Sequence, residues 1–356
     1  MSELSVIDPL KDPNWDHFVM DHPNGQIYHL SGWKRHLANS FKHISGKYYV
    51  LHEGGEGNIL AGLPVFEVKS WLTGRRLVCS PFATHCDPLV TDPGQIGVLL
   101  EELIRLSIEL KCGYIELKTL KTETLINNQQ FGVSRYYKYH YLKLDLPLDK
   151  LWSGFHRSCV RQRIQRAEKS DLQLKVGGTE SDLKDFYRLL VMTRERRALP
   201  PQPYSFFKSL WDVFSPSKQS MLLLAQKDGV SVSALFLLLF KDSITAEYAA
   251  SDKNFKDISP NHYLFWEAIK MAHEKGFKIF DFGRTSPQNT SLMDFKKRWG
   301  SQEVDLAHYY YPAHRAMAVS QKEESWKYKM VKRVISWDLP APVQKFLGAF
   351  LYQHIG

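Results

Sequence analysis

The sequence lacks the spacings that announce covalent or metal chemistry. It has only 4 cysteines, Cys79, Cys86, Cys112 and Cys159. None forms a CxxC pair and their spacing fits no zinc pattern, so the thiols point to a reducing compartment. No GxSxG elbow and no HExxH pair occurs. The run GGEG at 54–57 lacks the Lys-Ser/Thr of a phosphate loop and lies between two hydrophobic runs, which makes it a hairpin turn. The 14 histidines are scattered, and His262 and His273 fall within a helical pattern. Nothing marks a covalent nucleophile, so an enzyme built on this chain works by positioning and electrostatic stabilisation.

Long apolar runs are missing too. The longest, Ala234 to Phe240, is far too short to span a bilayer and reads as a buried strand. The first residues, MSELSVIDPLKDPNWDHF, carry acids early and no apolar core of a signal peptide. The expectation is a cytoplasmic protein, with peripheral contact at the inner face of the cell membrane as a further option. What the chain does have is a globular composition, 44% hydrophobic and 24% charged over 356 residues. Its formal charge is 47 − 38 = +9, and its pI is near 9.1. That balance favours anionic partners: phosphates, nucleotides, RNA or an acidic membrane surface.

The order of elements repeats. Tyr48 to Val68 reads as a hairpin across a Gly-rich turn, RRLVCSPFATHCDPLV as a third strand, GQIGVLLEELIRLSIELKCG as a helix and YIELKT as a return strand. Met221 to Phe240 again crosses a turn, at Asp228-Gly229; SITAEYAAS, HYLFWEAIKMAHEKG and FKIFDFGRT then repeat strand, helix, strand. Each set is a mixed α/β unit. The expected fold is therefore α/β with two tandem domains, each a mixed central sheet flanked by helices. Boundaries are placed at 1–148, 149–312 and a basic helical tail at 313–356.

Charge sits where a core is expected. Read as one continuous helix, LDKLWSGFHRSCVRQRIQRAEKSD buries Trp152, Phe155, Cys159, Val160, Ile164 and Ala167 on one face. Arg163 and Arg166 then fall on or beside that apolar arc, whereas Arg157 and Arg161 project to solvent. An inward arginine needs a partner; an internal ion pair and a phosphate contact are both open. In Ser259-Pro260-Asn261 the serine can cap a helix and the proline fits its first turn. Asn261 then lies among free N–H groups that can hold an anion. FDFGRTSPQNTSLMDFKKRWG leaves a core strand with Asp281 and Arg284 beside Gly283, and then brings Lys296.

The series RIQRAEKSDL, FYRLLVMTRERRALPPQPYSFFKSL, YAASDKNFKDISPNHYLFWEAIKMA and FDFGRTSPQNTSLMDFKKRWG resembles the Fem-type (FemABX-like) branch of the GNAT superfamily. The resemblance covers most of 150–312 and, more faintly, a degenerate first GNAT unit with SPFATHCDPLV as its best segment. It implies two tandem GNAT-like domains with one active cleft between them. It also implies transfer of an acyl or aminoacyl group onto an amine or hydroxyl of a cell-envelope precursor, either a peptidoglycan muropeptide or a surface polysaccharide. No permanently bound cofactor is implied; the donor is an aminoacyl-tRNA or an acyl-CoA, and the acceptor is nucleotide- or lipid-linked. The lysine associated with the transferred carbonyl matches Lys296, with Asp281 and Arg284 orienting substrate. Arg163, Arg166, Tyr248, Asp252, Asn261 and Trp299 are the implied substrate contacts.

Two departures stand out. The family has glycine where this chain has Ala198, and the loop DKNFKDISPN contains no glycine, unlike the pyrophosphate loop of acetyl-CoA enzymes. The second favours an aminoacyl donor over acetyl-CoA. An acetyl-CoA-dependent N- or O-acetyltransferase of polysaccharide biosynthesis, and a non-catalytic tandem GNAT binding subunit, stay open as alternatives. In the tail, Val343, Phe346, Leu347, Phe350 and Leu351 form one helical stripe, and Lys327, Lys329, Lys332 and Arg333 add charge. The stripe docks on the domain or anchors to anionic membrane.

Overall fold

The computed structural model describes residues 2–54, 58–122, 126, 128–317, 341–352 and 354. Its strands are β1 Ser2–Ile7, β2 Ile44–Glu53, β3 Ile59–Ser70, β4 Gly74–Val78, β5 Leu89–Val90, β6 Ile115–Thr119, β7 Gly132–Lys143, β8 Gln173–Gly177, β9 Ser220–Lys227, β10 Val230–Phe240, β11 Ser243–Ser251, β12 Ile279–Thr285 and β13 Gln302–Tyr311. Its helices are α1 Pro13–Asp21, α2 Ser31–Ser40, α3 Gln95–Glu109, α4 Leu148–Gly154, α5 Gln162–Glu168, α6 Glu180–Arg196, α7 Tyr204–Phe214, α8 Pro260–Glu274, α9 Thr290–Lys297 and α10 Ala341–Tyr352. Two compact units result. One runs to Tyr137 and resumes at Asp305 and at Ala349; the other holds Lys138–Val304 and α10 as far as Gly348. The division between these compact units falls inside β7. From Lys138 onward β7 is the antiparallel partner of β12, which ties these residues to the second unit.

In the first unit the strand order is β1-β2-β3-β4-β6-β13, with β5 beside β3. The ladders β2–β3 and β3–β4 are antiparallel and β4–β6 is parallel, with α3 as the crossover. Leu99 and Leu103 of α3 are buried, and Leu106 and Leu110 pack against the same core. The second unit repeats the plan in the order β7-β12-β11-β10-β9-β8. Here β9–β10 and β10–β11 are antiparallel, β11–β12 is parallel, and α8 crosses over. The turn at Asp228-Gly229 has φ of 51° and 77°, as a tight hairpin requires. Both mixed-sheet units and their shared element order agree with the reading from sequence. Of GGEG, residues 55–57 lie outside the described residues.

The segment 148–171 departs from the single helix expected. Helix α4 stops at Gly154, Phe155 is extended with ψ 143°, and a π turn occupies Arg157–Arg161 before α5 begins. The His156 ring nitrogen accepts the Cys159 N–H at 3.3 Å and restarts the chain as a helix. Phe155, Val160, Ile164 and Ala167 still share one buried face across that break. Arg163 and Arg166, at the border of that face, are exposed, not inward-facing, and Arg166 donates to the Asp257 carbonyl at 3.4 Å. Arg161, expected to be solvated, is half-buried.

In the tail, 318–340, including Lys327, Lys329, Lys332 and Arg333, lie outside the described residues, as do the side chains of Val343 and Phe346. Helix α10 does form; Leu347 and Leu351 are half-buried and Phe350 is exposed. No helix among the described residues is long and apolar enough to cross a membrane.

Candidate active site

Two β-bulges in the second unit create the site. Strands β11 and β12 run parallel in register only over Ser243–Thr245 and Ile279–Asp281. Just beyond, each slips against its outer neighbour. Phe236 faces Tyr248 and Leu237 faces Ala246, so Glu247 is an extra residue in β11. Asp281 faces Tyr141 and Gly283 faces His140, so Phe282 is extra in β12. Bulges bend and twist the strands that carry them, and Tyr248 and Arg284 lie beyond the last paired positions.

Gly283 has φ +70°, a left-handed conformation that costs other residues about 1–2 kcal/mol. In a regular strand adjacent carbonyls point in opposite directions. Here the carbonyls of Gly283 and Arg284 both accept from Lys296 Nζ, at 2.9 and 3.1 Å. The kink at Gly283 lets consecutive carbonyls converge on one ammonium. Lys296 comes from α9, which starts at Asn289, whose side chain caps the Leu292 N–H. The side chain is only 5% exposed. Burial, which removes the water that would solvate the charge, lowers its pKa to about 7; Asp281 raises it and Arg284 lowers it further.

Asp281 is buried at the last parallel pair. Its carboxylate accepts from the Gly283 N–H at 2.5 Å and from the Thr245 hydroxyl at 3.2 Å. Arg284 is exposed. The structure therefore brings Lys296, Asp281 and Arg284 together. The neighbours of Lys296 in FKKRWG are held elsewhere: Lys297 pairs with Glu303 at 3.0 Å and Arg298 with Asp294 at 3.6 Å.

The implied substrate contacts fare differently. Trp299 is 0% exposed. Its ring packs against Phe155, Phe265 and Phe295 and stacks on His262 at 6.0 Å, so it secures the end of α9 from inside the core. Asn261 is tied down on both ends of its amide. It accepts from Ser233 at 2.6 Å and donates to Ser251 at 3.2 Å, which joins β10 to β11. Ser259 does not cap α8; it has φ 56° and makes no side-chain cap bond, while Pro260 stands in the first turn as expected. Asp252 caps the 3-10 turn Lys253–Ile258 through the Asn254 N–H. Tyr248 is half-buried against Phe207, with ring centroids 5.0 Å apart. Arg163 is exposed, and its charge, after burial, helps lower the pKa of His262 to about 4.

Three residues escaped the sequence reading. His140, 0% exposed on β7 opposite Gly283, has no hydrogen-bond partner for either ring nitrogen among the described residues. Burial and then the Lys296 charge lower its pKa to about 4, so it is neutral at pH 7. Thr245 orients Asp281 across the parallel pair. Arg196, at the end of α6, donates to the Ser251 carbonyl at 3.3 Å and brings a guanidinium to the end of β11. Polar letters in an inward strand position could have flagged His140; the other two depend on non-local register. Among the described residues no group of three or more His, Cys, Asp or Glu could hold a metal ion.

Comparison with known proteins finds the same fold. A family model described as "Acetyltransferase (GNAT) domain" matches residues 154–297. The chain is 23% identical over 383 aligned positions to a "Lipid II:glycine glycyltransferase" of Staphylococcus haemolyticus (strain JCSC1435), covering 80% of this chain and 87% of that protein. It is similar in structure to FemX, with a TM-score of 0.71 and 18% identity over 89% of this chain and 98% of that one. A tandem GNAT protein from the clavulanic acid biosynthesis pathway superposes with a TM-score of 0.56 and 11% identity, over 88% and 99% of the two chains. A GNAT-domain match over the lysine-bearing segment and these relatives support a FemABX-like reading of the chain, with two tandem GNAT-like units.

Proposed function

We propose that this protein transfers an amino acid from an aminoacyl-tRNA to an amine of a lipid-linked peptidoglycan precursor. The observation that carries the reading is the buried Lys296, fixed by two carbonyls beside Asp281. An ammonium has three N–H donors, and two are held by backbone. The third is left to meet a substrate oxygen. The acceptor amine attacks the ester carbonyl carbon, and the carbonyl π electrons move to oxygen. Lys296 donates to that oxyanion, whose charge it meets in a nearly dry site. Collapse re-forms the carbonyl, breaks the ester C–O bond and releases the tRNA hydroxyl with the proton lost by the amine. The product is an amide.

The other groups serve this step. Asp281 favours the protonated form of Lys296. Arg284, exposed at the strand end, orients anionic parts of the substrate, and Tyr248 lines the opposite strand beyond the split. Arg163 and Arg166 present exposed guanidinium groups suited to phosphates. The relatives named lipid II:glycine glycyltransferases supply the acceptor class, and the glycine-free loop at 252–261 supports a donor other than acetyl-CoA.

The test is transfer of a radiolabelled amino acid from charged tRNA to a purified lipid-linked muropeptide, with acetyl-CoA as the competing donor. Transfer from tRNA that is abolished in K296M supports the reading. Acetylation from acetyl-CoA without aminoacyl transfer, or full turnover by K296M, refutes it.

A further inference from the structure

The turn between β3 and β4 in the first unit holds apolar side chains out in water. Ser70 pairs with Gly74, so residues 71–73 form its tip. Trp71 is 80% exposed and Leu72 57% exposed. Single exposed apolar residues are ordinary, but this tip is held rigidly. Ser70 Oγ accepts the N–H groups of Leu72 at 3.1 Å and Thr73 at 2.9 Å. Thr73 Oγ1 donates to the His354 carbonyl at 3.1 Å, and the buried Arg76 donates to both Thr73 Oγ1 and that carbonyl. The His354 ring stands edge-on to Trp71, with centroids 5.2 Å apart, and packs on Phe350 at 5.0 Å. Phe350 is itself 39% exposed. Three large apolar groups thus share one rim, with the entropy of ordering the loop already spent in folding.

The charges around that rim are mostly positive. Lys69 and Arg75 flank the tip and share Glu67 at 3.2 and 3.0 Å. Arg75 also donates to the Leu110 carbonyl, which places the exposed Lys111 at the same edge. The Gly113 N–H bonds the Arg75 carbonyl, and Arg315 lies over the neighbouring Tyr114 ring at 5.9 Å. Of the carboxylates nearby, Glu109 pairs with Arg105 at 3.1 Å, and Glu116 accepts from Tyr310 at 2.8 Å.

We propose that the β3–β4 tip is a membrane-docking wedge, in which Trp71 and Leu72, with Phe350 beside them, enter the interface of a bilayer bearing anionic headgroups. Tryptophan favours that interface because its body is apolar and its N–H is polar. The flanking cations attract anionic lipid. A flat protein partner would not need a protruding, rigid tip ringed by cations. The wedge goes beyond the proposed reaction and does not depend on it.

Sedimentation of the full chain with vesicles tests it, using pure phosphatidylcholine against an equimolar mixture with phosphatidylglycerol. Binding is expected to the mixed vesicles and to weaken as salt rises. The double variant W71A/L72A is expected to lower partitioning about ten-fold or more, and L72A alone by a smaller factor, with unchanged thermal melting. K296M should bind as the wild type does, which separates this idea from the catalytic one. Wild type that ignores both vesicles, or a double variant that binds equally well, overturns the proposal. So does a double variant altered only in self-association by gel filtration, which would make the tip a contact between copies of this chain.

Discussion

Replacing Lys296 by methionine separates what the lysine does for the reaction from what it does to the fold. The ordinary lysine pKa of 10.5 is lowered to about 7 in the folded protein, first by burial and then by the Arg284 charge, against the pull of Asp281. Between those values the unfolded chain binds a proton that the folded chain does not, so stability rises with pH across that window. Below about 7 both states are protonated and the full cost of burying the ammonium is felt. At about 1.36 kcal/mol per pKa unit, the cost is on the order of 4 kcal/mol at pH 7 and falls to about 1 kcal/mol at pH 10. Methionine has a similar length and no charge. It removes this pH-dependent cost but leaves two carbonyls without the lysine, a penalty that does not vary with pH. The stability of K296M relative to wild type should therefore be higher at pH 7 than at pH 10, by about 3 kcal/mol. Urea unfolding of both proteins at the two pH values measures it, and titrations common to both cancel in the difference. Transfer activity should be absent throughout. A stability difference that is the same at both pH values would refute the burial of a charged Lys296.

Three further substitutions test the backbone. Ala198 has φ 50° and closes α6 with Ala198 N–H to the Glu195 carbonyl and Leu199 N–H to the Arg194 carbonyl, a Schellman cap in which glycine is preferred. A198G should stabilise by about 1 kcal/mol, read as a higher urea midpoint with unchanged slope. G283A should do the reverse, costing about 1–2 kcal/mol, and should lower kcat more than it raises KM because the two carbonyls that hold Lys296 are turned apart. Gly348 of α10 is so close to the Pro201 carbonyl that a Cβ would collide with backbone. G348A should lower the melting temperature through a loss of about 1–3 kcal/mol.

The strands of the repeated set, β2–β4 with β6 and β9–β12, were legible because each hairpin and its helix carry their own period and turn residues; β1, β7, β8 and β13 were not read. Asp228-Gly229 and Gly276, for instance, announce their turns locally, and Gly276 does have φ +78°. The segment around Arg163 was not legible. One residue, Phe155, leaves the helix, and one π turn re-enters it. Neither event has a distinctive letter. Val160, Ile164 and Ala167 keep one buried face, and Arg163 and Arg166 stand at its border, where a periodicity count does not say whether a long side chain turns inward or out to water. Ala198 stood out only as a departure from the resemblance, and the positive φ says what it costs.

The site itself shows where local reading must stop. Lys296 was found through motif resemblance, while its burial and its partners come from pairings between distant strands. The extra residues Glu247 and Phe282 exist only relative to β10 and β7, so no inspection of β11 or β12 alone can place them. Their consequence is chemical. A strand without the kink would send the Gly283 and Arg284 carbonyls to opposite faces, and a buried ammonium would then find one acceptor where it now has two. Desolvation would push its proton off more strongly, and a neutral amine is a poor partner for an oxyanion. The bulge beside Asp281 thus lets a charge-dependent group work in a place dry enough for its charge to matter.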